Sequence, residues 1–164
     1  RAQELQSILQ SCDSLTKLKK DFCVLGDFNA MHPSDKYYTD THLKPRLASR
    51  IKKGKCADLN NTCSDWDYSV LQKLSQANCV DVVGKHLLHK EKYIEEKRYG
   101  TFPSTASKNI ANMKIRAENL HRLDYIFMNK KLASKVIEAR IIQEPQQEII
   151  SDHYPVCVQI GYQE

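Results

Sequence analysis

Residues 21–30 read DFCVLGDFNA, and this stretch decides how the rest of the chain is interpreted. The apolar run Phe22–Leu25 is short and ends at Gly26, as expected of a strand that is buried on both faces. In an extended chain, residues two apart point to the same side, so Asp27 and Asn29 would place a carboxylate and a carboxamide together. Such a pair suits a hydrated cation and an attacking water. A strand-ending Asp with a following Asn is also a common turn, so this pattern alone is weak.

The composition is that of one ordinary folded domain. The chain has 164 residues, of which 41% are hydrophobic, and 25 Lys and Arg against 20 Asp and Glu give a net charge of +5. This apolar content is sufficient for a core. Because no apolar run approaches the roughly 20 residues that span a bilayer, we expect no membrane span. The positive charge permits a polyanionic partner such as nucleic acid without requiring one.

Helical and strand-like patterns alternate along the chain. Apolar residues spaced three and four apart predict helices over residues 2–18 and 65–78. Short apolar runs predict strands near residues 79–83, 123–128, 136–142 and 155–162, and short helices are expected near 34–38 and 130–133. Residues 86–98 are highly charged and predict an exposed helix or an excursion at the edge of the fold. Alternation without an internal repeat or a linker predicts the α/β class.

The six cysteines include no CxxC pair, so a zinc site has little support. Cys23 and Cys157 lie in apolar strand-like runs, where a free thiol behaves as a small buried hydrophobe. We therefore favour reduced cysteines and an intracellular location. The even count would also allow three disulfides, and no signal in the sequence fixes the compartment.

Two further segments combine carboxylates with other functional groups. SDHYPV at residues 151–156 places Asp152 and His153 before an apolar strand, giving an oxygen ligand for Mg²⁺ and a nitrogen donor for a phosphate oxygen. RLDYIF at residues 122–127 places Asp124 in an otherwise apolar strand, where an unpaired charge is costly. Asp124 is therefore a candidate partner for His153. Its alternative role is a cap or an ion pair with Arg122.

In this order, the three segments resemble motifs of the endonuclease/exonuclease/phosphatase superfamily, the deoxyribonuclease-like metal-dependent phosphoesterases. The matching stretches are LGDFNA at residues 25–30, RLDYIF at 122–127 and SDHYPV at 151–156, and TFPS at 101–104 looks like the segment that often precedes the second motif. The resemblance implies a deoxyribonuclease-like α/β sandwich, with a mixed sheet and flanking helices in the part that this chain covers.

The resemblance also implies a role for each matching residue. Asp27 would position or deprotonate the attacking water, and Asn29 would help to hold water and phosphate. His153 would contact the scissile phosphate, Asp124 would pair with that histidine, and Asp152 would lie near the metal. Asp27 and Asp152 are thus the candidate ligands of Mg²⁺ or Mn²⁺, which prefer hard oxygen donors. The implied activity is metal-dependent hydrolysis of a phosphodiester, with nucleic acid as the first choice.

Substrate contacts are less well defined. Arg122 and the loop from Thr101 to Ala117 are candidates for substrate contact. The run from Arg50 to Lys55 contains four cations that would suit phosphates, although such a run is more often a solvated face. Superfamily members also cleave RNA tails, sphingomyelin and inositol phosphates, and no loop sequence here distinguishes among these substrates.

The resemblance covers only the C-terminal half of such an enzyme. The family's early Asn and its principal metal-binding glutamate lie far upstream of the first motif, whereas 26 residues precede Asp27 here. Gln3 and Glu4 resemble the family's Gln-Glu pair but are assigned to a helix surface. We therefore expect residues 1–164 to be the C-terminal portion of a domain whose N-terminal half is absent from this chain, with little activity alone. The alternative is a truncated or degenerate non-catalytic member that binds nucleic acid or a protein partner.

Overall fold

The fold is organised around one central strand, as seen in the computed structural model, which describes residues 2–55, 59–87, 99–107 and 119–161. The described helices are α1 (Ala2–Lys17), α2 (Lys36–His42), α3 (Lys44–Lys52), α4 (Ser69–Gln76), α5 (Val82–Leu87), α6 (Lys130–Ala133) and α7 (Gln147–Ile150), with a 3₁₀ turn at Pro33–Asp35. The strands are β1 (Cys23–Asp27), β2 (Cys79–Asp81), β3 (Asp124–Asn129), β4 (Val136–Ile141) and β5 (Val156–Ile160).

Strand β3 is the middle strand of a three-stranded sheet with the order β1-β3-β2. Both of its ladders are antiparallel, and they pair Cys23 with Met128 on one side and Cys79 with Asn129 on the other. Strands β4 and β5 form a separate antiparallel pair. Together with the flanking helices, these sheets confirm the predicted α/β class.

Both faces of β3 are buried because successive side chains of a strand point to opposite faces. Tyr125 and Phe127 pack in a cluster with residues of α1 and α4, such as Leu5 and Leu71. The alternate side chains of β3, Ile126 and Met128, join a second cluster that contains residues of α5, β4 and β5. The strand predicted near residues 123–128 is therefore confirmed, and the structure shows that it is buried on both faces.

Strand β1 differs from the prediction. It lies at the edge of its sheet, and only one of its faces is covered: Val24 packs against the α1 and α4 cluster, whereas Leu25 on the other face is 64% exposed. The expectation of a strand buried on both faces is therefore wrong for β1. A short apolar run is compatible with either position, because the pattern records apolar residues and not the elements that cover them.

Most predicted elements lie within a few residues of their expected bounds, and the main differences have local causes. The helix expected from residue 65 begins at Ser69, whose N–H donates to the carboxylate of Asp67 at 2.9 Å. The strand expected over residues 79–83 ends at Asp81, since Val82 begins α5. Of the charged segment 86–98, residues 86 and 87 belong to α5 and the remainder lies outside the described residues.

Within the described ranges, no helix has the length and apolarity needed to cross a bilayer.

The cysteines follow the prediction only in part. Cys12, Cys79 and Cys157 are free thiols that are buried or half-buried, and burial raises the pKa of Cys79 to about 12. Cys23 is also a free thiol but is exposed, since it lies on the edge strand β1. Cys63 is disulfide-bonded, so the preference for reduced cysteines is wrong at this position.

A buried group of charges connects the 3₁₀ turn, β2 and Arg122, which lies just before β3. The side chain of Arg122 is fully buried, and its Nη2 lies 2.7 Å from Asp35 Oδ1 and 2.5 Å from Asp81 Oδ2. Tyr125 donates a hydrogen bond to the same Asp35 carboxylate at 2.9 Å. Asp81 also accepts the N–H of Gly84 at 3.0 Å and thereby caps the first turn of α5. Buried charges are tolerated only when they are paired, so these groups depend on one another.

We predict that Arg122→Met lowers the free energy of unfolding by about 3–5 kcal/mol, because two buried carboxylates lose their counter-ion. Urea denaturation followed by circular dichroism measures this loss. The control is Lys131→Met, which breaks an exposed ion pair with Asp21 and should leave the free energy of unfolding nearly unchanged. Equal stability of the two variants would contradict the structural role of Arg122.

Candidate active site

The candidate site forms where β1 ends and β3 begins. Asp27 is the last residue of β1, Asp124 is the first residue of β3, and the antiparallel register pairs these two residues. The N–H of Phe28 donates to the carbonyl of Leu123 at 2.9 Å, which extends the ladder beyond the last named pair. Two carboxylate residues that are distant in sequence thus lie side by side at one end of the sheet.

Asp27 and Asn29 are held together by a turn. The backbone N–H of Asn29 donates to Asp27 Oδ1 at 2.8 Å, and its side-chain Nδ2 donates to Asp27 Oδ2 at 2.7 Å. Asn29 has a φ of +47°, in the left-handed region that Asn adopts more readily than most residues. The prediction that the two side chains lie together is therefore correct, but its reason was not, because the chain turns here and is not extended.

His153 and Asp124 form the pair that the motifs imply. His153 Nδ1 lies 2.8 Å from Asp124 Oδ2, and the ring of His153 packs against Phe102 with a centroid distance of 4.8 Å. The carboxylate thus fixes one ring nitrogen, and the aromatic contact fixes the plane of the imidazole. Because Nδ1 faces Asp124, Nε2 is the nitrogen left to meet a ligand. The alternative of an ion pair between Asp124 and Arg122 is not what the structure shows, since Arg122 pairs with Asp35 and Asp81.

The segment that begins at Thr101 joins the two motifs. The hydroxyl of Thr101 accepts the N–H of Asp124 at 3.1 Å, and its carbonyl accepts the N–H of Tyr154 at 2.7 Å. Three residues later, the N–H of Ser104 donates to the carbonyl of Asp152 at 2.9 Å. These bonds hold the start of β3 against the segment that carries His153, which accounts for the short distance between Asp124 and His153.

One cleft of about 710 Å³ contains both halves of the candidate site. Asn29 and His153 line it, together with Phe102 and the carboxylate residue Asp67. Four basic residues also line the cleft: Arg46, Arg50, Lys53 and Lys55. The structure therefore brings part of the predicted basic run to the same cleft as Asn29 and His153, whereas Asp27 and Asp124 are not among the residues that line it. Of the loop from Thr101 to Ala117, Pro103 and Ser107 also line the cleft, and residues 108–117 lie outside the described residues.

The carboxylates present do not by themselves form a metal site. Asp152 is exposed and is not among the residues that line the cleft, although it lies next to His153. Within the described ranges, no three or more His, Cys, Asp or Glu side chains are grouped so that they could hold a metal ion. Asp27 and Asp152 supply the hard oxygen donors that Mg²⁺ prefers. They are too few for a site of their own, so the implied Mg²⁺ or Mn²⁺ stays a prediction.

Arg122 does not contact the cleft. Its side chain has no exposed surface and is bound by Asp35 and Asp81, so the prediction of a substrate contact is wrong. The sequence places Arg122 just before β3. It does not show that the 3₁₀ turn and β2 supply the carboxylates that pair with it. The partners that bury the guanidinium come from residues far from it in sequence.

Arg46 and His121 line the cleft but were missed by the sequence reasoning. Arg46 Nη1 donates to the carbonyl of Asn119 at 3.2 Å, and the Nδ1 of His121 lies 2.6 Å from the same oxygen. Burial and the positive charge of Arg46 lower the pKa of His121 to about 3. His121 is therefore a neutral ring in the cleft wall. Helical spacing from Arg50 and Lys53 is a signal that points to Arg46, whereas no local pattern singles out His121.

We predict that stability becomes dependent on pH through His121. The unfolded ring binds a proton below about pH 6.5, whereas the folded ring does so only near pH 3, so stability is lost as the pH falls between these values. The stability advantage of the wild type over His121→Asn should shrink by about 2 kcal/mol from pH 6.5 to pH 5. Urea denaturation at each pH measures this difference. Titration of the His121 ring between pH 5 and 8 by NMR would contradict the prediction.

Comparison with known proteins supports the fold. No protein-family model matches the chain, and no curated protein matches it in sequence. The solved structure of an AP endonuclease from Archaeoglobus fulgidus is similar, with a TM-score of 0.59 at 20% sequence identity. The similarity covers 96% of this chain and 55% of that chain, so this chain spans about half the length of its structural neighbour. The chain therefore has the deoxyribonuclease-like α/β fold that its motifs imply.

Proposed function

We propose that this chain carries the water-positioning and phosphate-binding part of a nuclease-like phosphodiesterase site. The observation that carries the proposal is the 2.8 Å contact between His153 and Asp124, since His153 lines the same cleft as Asn29. The similarity in fold to a solved endonuclease supports a hydrolytic activity of this kind. In this proposal a phosphodiester would lie in the cleft between the Asp27–Asn29 pair and the Asp124–His153 pair.

On the phosphate side, His153 would donate a hydrogen bond from Nε2 to a non-bridging oxygen of the scissile phosphate. Negative charge increases on these oxygens in the transition state, and donors that are already oriented stabilise it. Asp124 keeps the ring oriented through Nδ1, as a carboxylate does in other catalytic pairs. Phe102 packs on the ring and limits its rotation. Asp124 is thus proposed as a positioning residue and His153 as the group that touches the phosphate.

On the opposite side, Asp27 would accept a proton from the attacking water. The side-chain Nδ2 of Asn29 already donates to Asp27, which leaves Asn29 Oδ1 to accept a hydrogen bond from the same water. The short turn at these two residues keeps the carboxylate and the amide oxygen at a fixed distance from each other. In this proposal the turn orients the water, because it holds both groups that accept hydrogen bonds from that water.

We also propose that Mg²⁺ or Mn²⁺ acts at this site, with Asp27 and Asp152 as candidate ligands. A divalent cation would supply positive charge to the phosphate oxygens. Because no sufficient cluster of ligands occurs among the described residues, we propose that a further carboxylate comes from an N-terminal half of the domain outside this chain. The proposed substrate is a nucleic acid, the class of molecule that an endonuclease cleaves.

A second candidate function is that of a non-catalytic binding protein. The lack of a group of three metal-binding side chains among the described residues favours it. In that case the cleft would bind nucleic acid or a protein partner without cleaving it. The two functions differ in one observation, which is hydrolysis by the complete natural protein.

We predict that the 164-residue chain alone hydrolyses a labelled oligonucleotide or bis(p-nitrophenyl) phosphate slowly or not at all in millimolar Mg²⁺. The cation should nevertheless shift the NMR signals of His153, because Asp152 and Asp27 lie near it in the proposed site. Robust Mg²⁺-dependent cleavage that is lost in Asp27→Ala would contradict the claim that the site is incomplete. No response of His153 to Mg²⁺ would count against even a partial metal site.

In the complete natural protein, we predict that His153→Ala and Asp124→Asn each lower kcat on a phosphodiester by about 10²–10⁴-fold. The matched control is Asp13→Asn, on the exposed face of α1, which should leave kcat unchanged because Asp13 forms a solvated ion pair with Lys17. Steady-state kinetics with both variants measure the effect. Full activity in His153→Ala would exclude the proposed role at the phosphate.

A further inference from the structure

The cleft that contains Asn29 and His153 continues across one face of α3. A second depression of about 480 Å³ lies beside the first and shares four basic residues with it: Arg46, Arg50, Lys53 and Lys55. Because the same side chains line both depressions, the two lie side by side against α3, and we refer to them together as the groove. The groove extends from Asn29 and His153 in the first depression to His42 and Pro45 in the second.

Helical geometry explains why these basic residues form a row. Arg46, Arg50 and Lys53 are separated by four and three residues, so they lie on one face of α3 and its C-terminal cap. A rise of 1.5 Å per residue makes this row about 10 Å long. Lys52 belongs to the same basic run, but it points to another side of the helix and lines neither depression. Of the basic run, Arg50, Lys53 and Lys55 therefore line the groove, and Lys52 lies outside it.

The described residues that line the groove are more often basic than acidic. Among them, Asp67 is the one carboxylate residue in the first depression, and the second contains none. The carboxylate of Asp67 accepts the N–H of Ser69, which holds it at the start of α4. The described lining of the groove thus contains four basic side chains, and a row about 10 Å long is longer than a single phosphate group requires.

We propose that this groove binds the sugar–phosphate backbone of a nucleic-acid strand on one side of the scissile phosphate. The inference deepens the proposed function and rests on it for the position of the scissile phosphate at His153. Arg50, Lys53 and Lys55 neutralise successive phosphates, and Arg46 forms the inner end of the row nearest to His121. The contacts are to phosphates, so binding does not depend on base sequence.

The shape of the groove favours a strand over other anions. A small phosphate ester would occupy the end near His153 and leave Lys53 without a role. A flat anionic membrane would also contact Lys52, which is exposed outside the groove, and it would not distinguish Lys53 from Lys52. A nucleic-acid strand is the ligand whose repeated charges follow a row of cations within a cleft.

The test is the salt dependence of oligonucleotide binding to the 164-residue chain in EDTA, measured by fluorescence anisotropy with labelled 20-nucleotide DNA and RNA strands. For each phosphate contact that is lost, the slope of log K against log salt should fall by about 0.7–0.9. Lys53→Gln should lose about one contact, and Arg50→Gln combined with Lys53→Gln and Lys55→Gln should lose two to three and weaken binding at least about tenfold. A scrambled sequence should bind equally.

The matched control is Lys52→Gln, since Lys52 is the exposed neighbour of Lys53 on the same basic run and differs from it only in position relative to the groove. It should leave the slope nearly unchanged. Equal slopes for Lys52→Gln and Lys53→Gln would overturn the proposal, as would an absence of strand binding at low salt. Tighter binding to phosphatidylserine vesicles than to either strand, lost in Lys53→Gln, would also overturn it in favour of a membrane ligand.

The outcomes separate this inference from the proposed function. Because the assay is done in EDTA, it does not depend on catalysis. Strand binding with the expected slopes, but no hydrolysis by the complete protein, would leave the groove in place and refute the phosphodiesterase. Hydrolysis of a phosphodiester with no change of slope in any groove variant would refute the groove alone.

Discussion

The antiparallel ladder between β1 and β3 pairs Asp27 with Asp124, and these two residues in turn contact Asn29 and His153. Slipping the register by one residue would turn each side chain of one strand to the opposite face of the sheet. The register is held by apolar packing, because Tyr125 and Phe127 are buried on one face of β3 and Ile126 and Met128 on the other. The polar ends of the strands are thus positioned by the hydrophobic residues between them.

The buried charges around Arg122 hold the loop that follows Asn29. Asp35, in the 3₁₀ turn after this loop, pairs with Arg122 and accepts a hydrogen bond from Tyr125. The same tyrosine hydroxyl accepts the N–H of His32 at 3.1 Å, so two points of the loop are bound to β3. Burying these charges is costly unless each is paired, and this cost makes the arrangement specific. Arg122, which the sequence analysis expected to contact substrate, therefore stabilises the fold near the site through its ion pairs with Asp35 and Asp81.

The proposed groove illustrates that the role of a basic residue depends on where the fold places it. In the sequence, Lys52 and Lys53 are equivalent neighbours, and nothing distinguishes a solvated lysine from one that faces a ligand. The helix turns by about 100° per residue, so neighbours point in different directions and only some of them reach the cleft. The packing of α3 against the rest of the molecule decides which lysines these are. Composition had indicated a possible polyanionic partner, and the fold places Arg46, Arg50, Lys53 and Lys55 together in the groove proposed to bind it.

The sequence by itself determined the α/β class, the approximate bounds of the described strands and of α1, α4 and α6, and a set of candidate site residues. It did so because apolar periodicity and strand-end motifs are local properties of the chain. It also indicated that Asp124 needs a partner, since an unpaired charge within an apolar strand is costly, and the motif resemblance favoured His153 over Arg122 as that partner. It failed for β1 and Arg122, because burial depends on which distant elements cover a residue. Only the tertiary structure decided that Arg122 lies beneath the site and that Arg46 and His121 line its wall, since those contacts join segments that no local pattern connects.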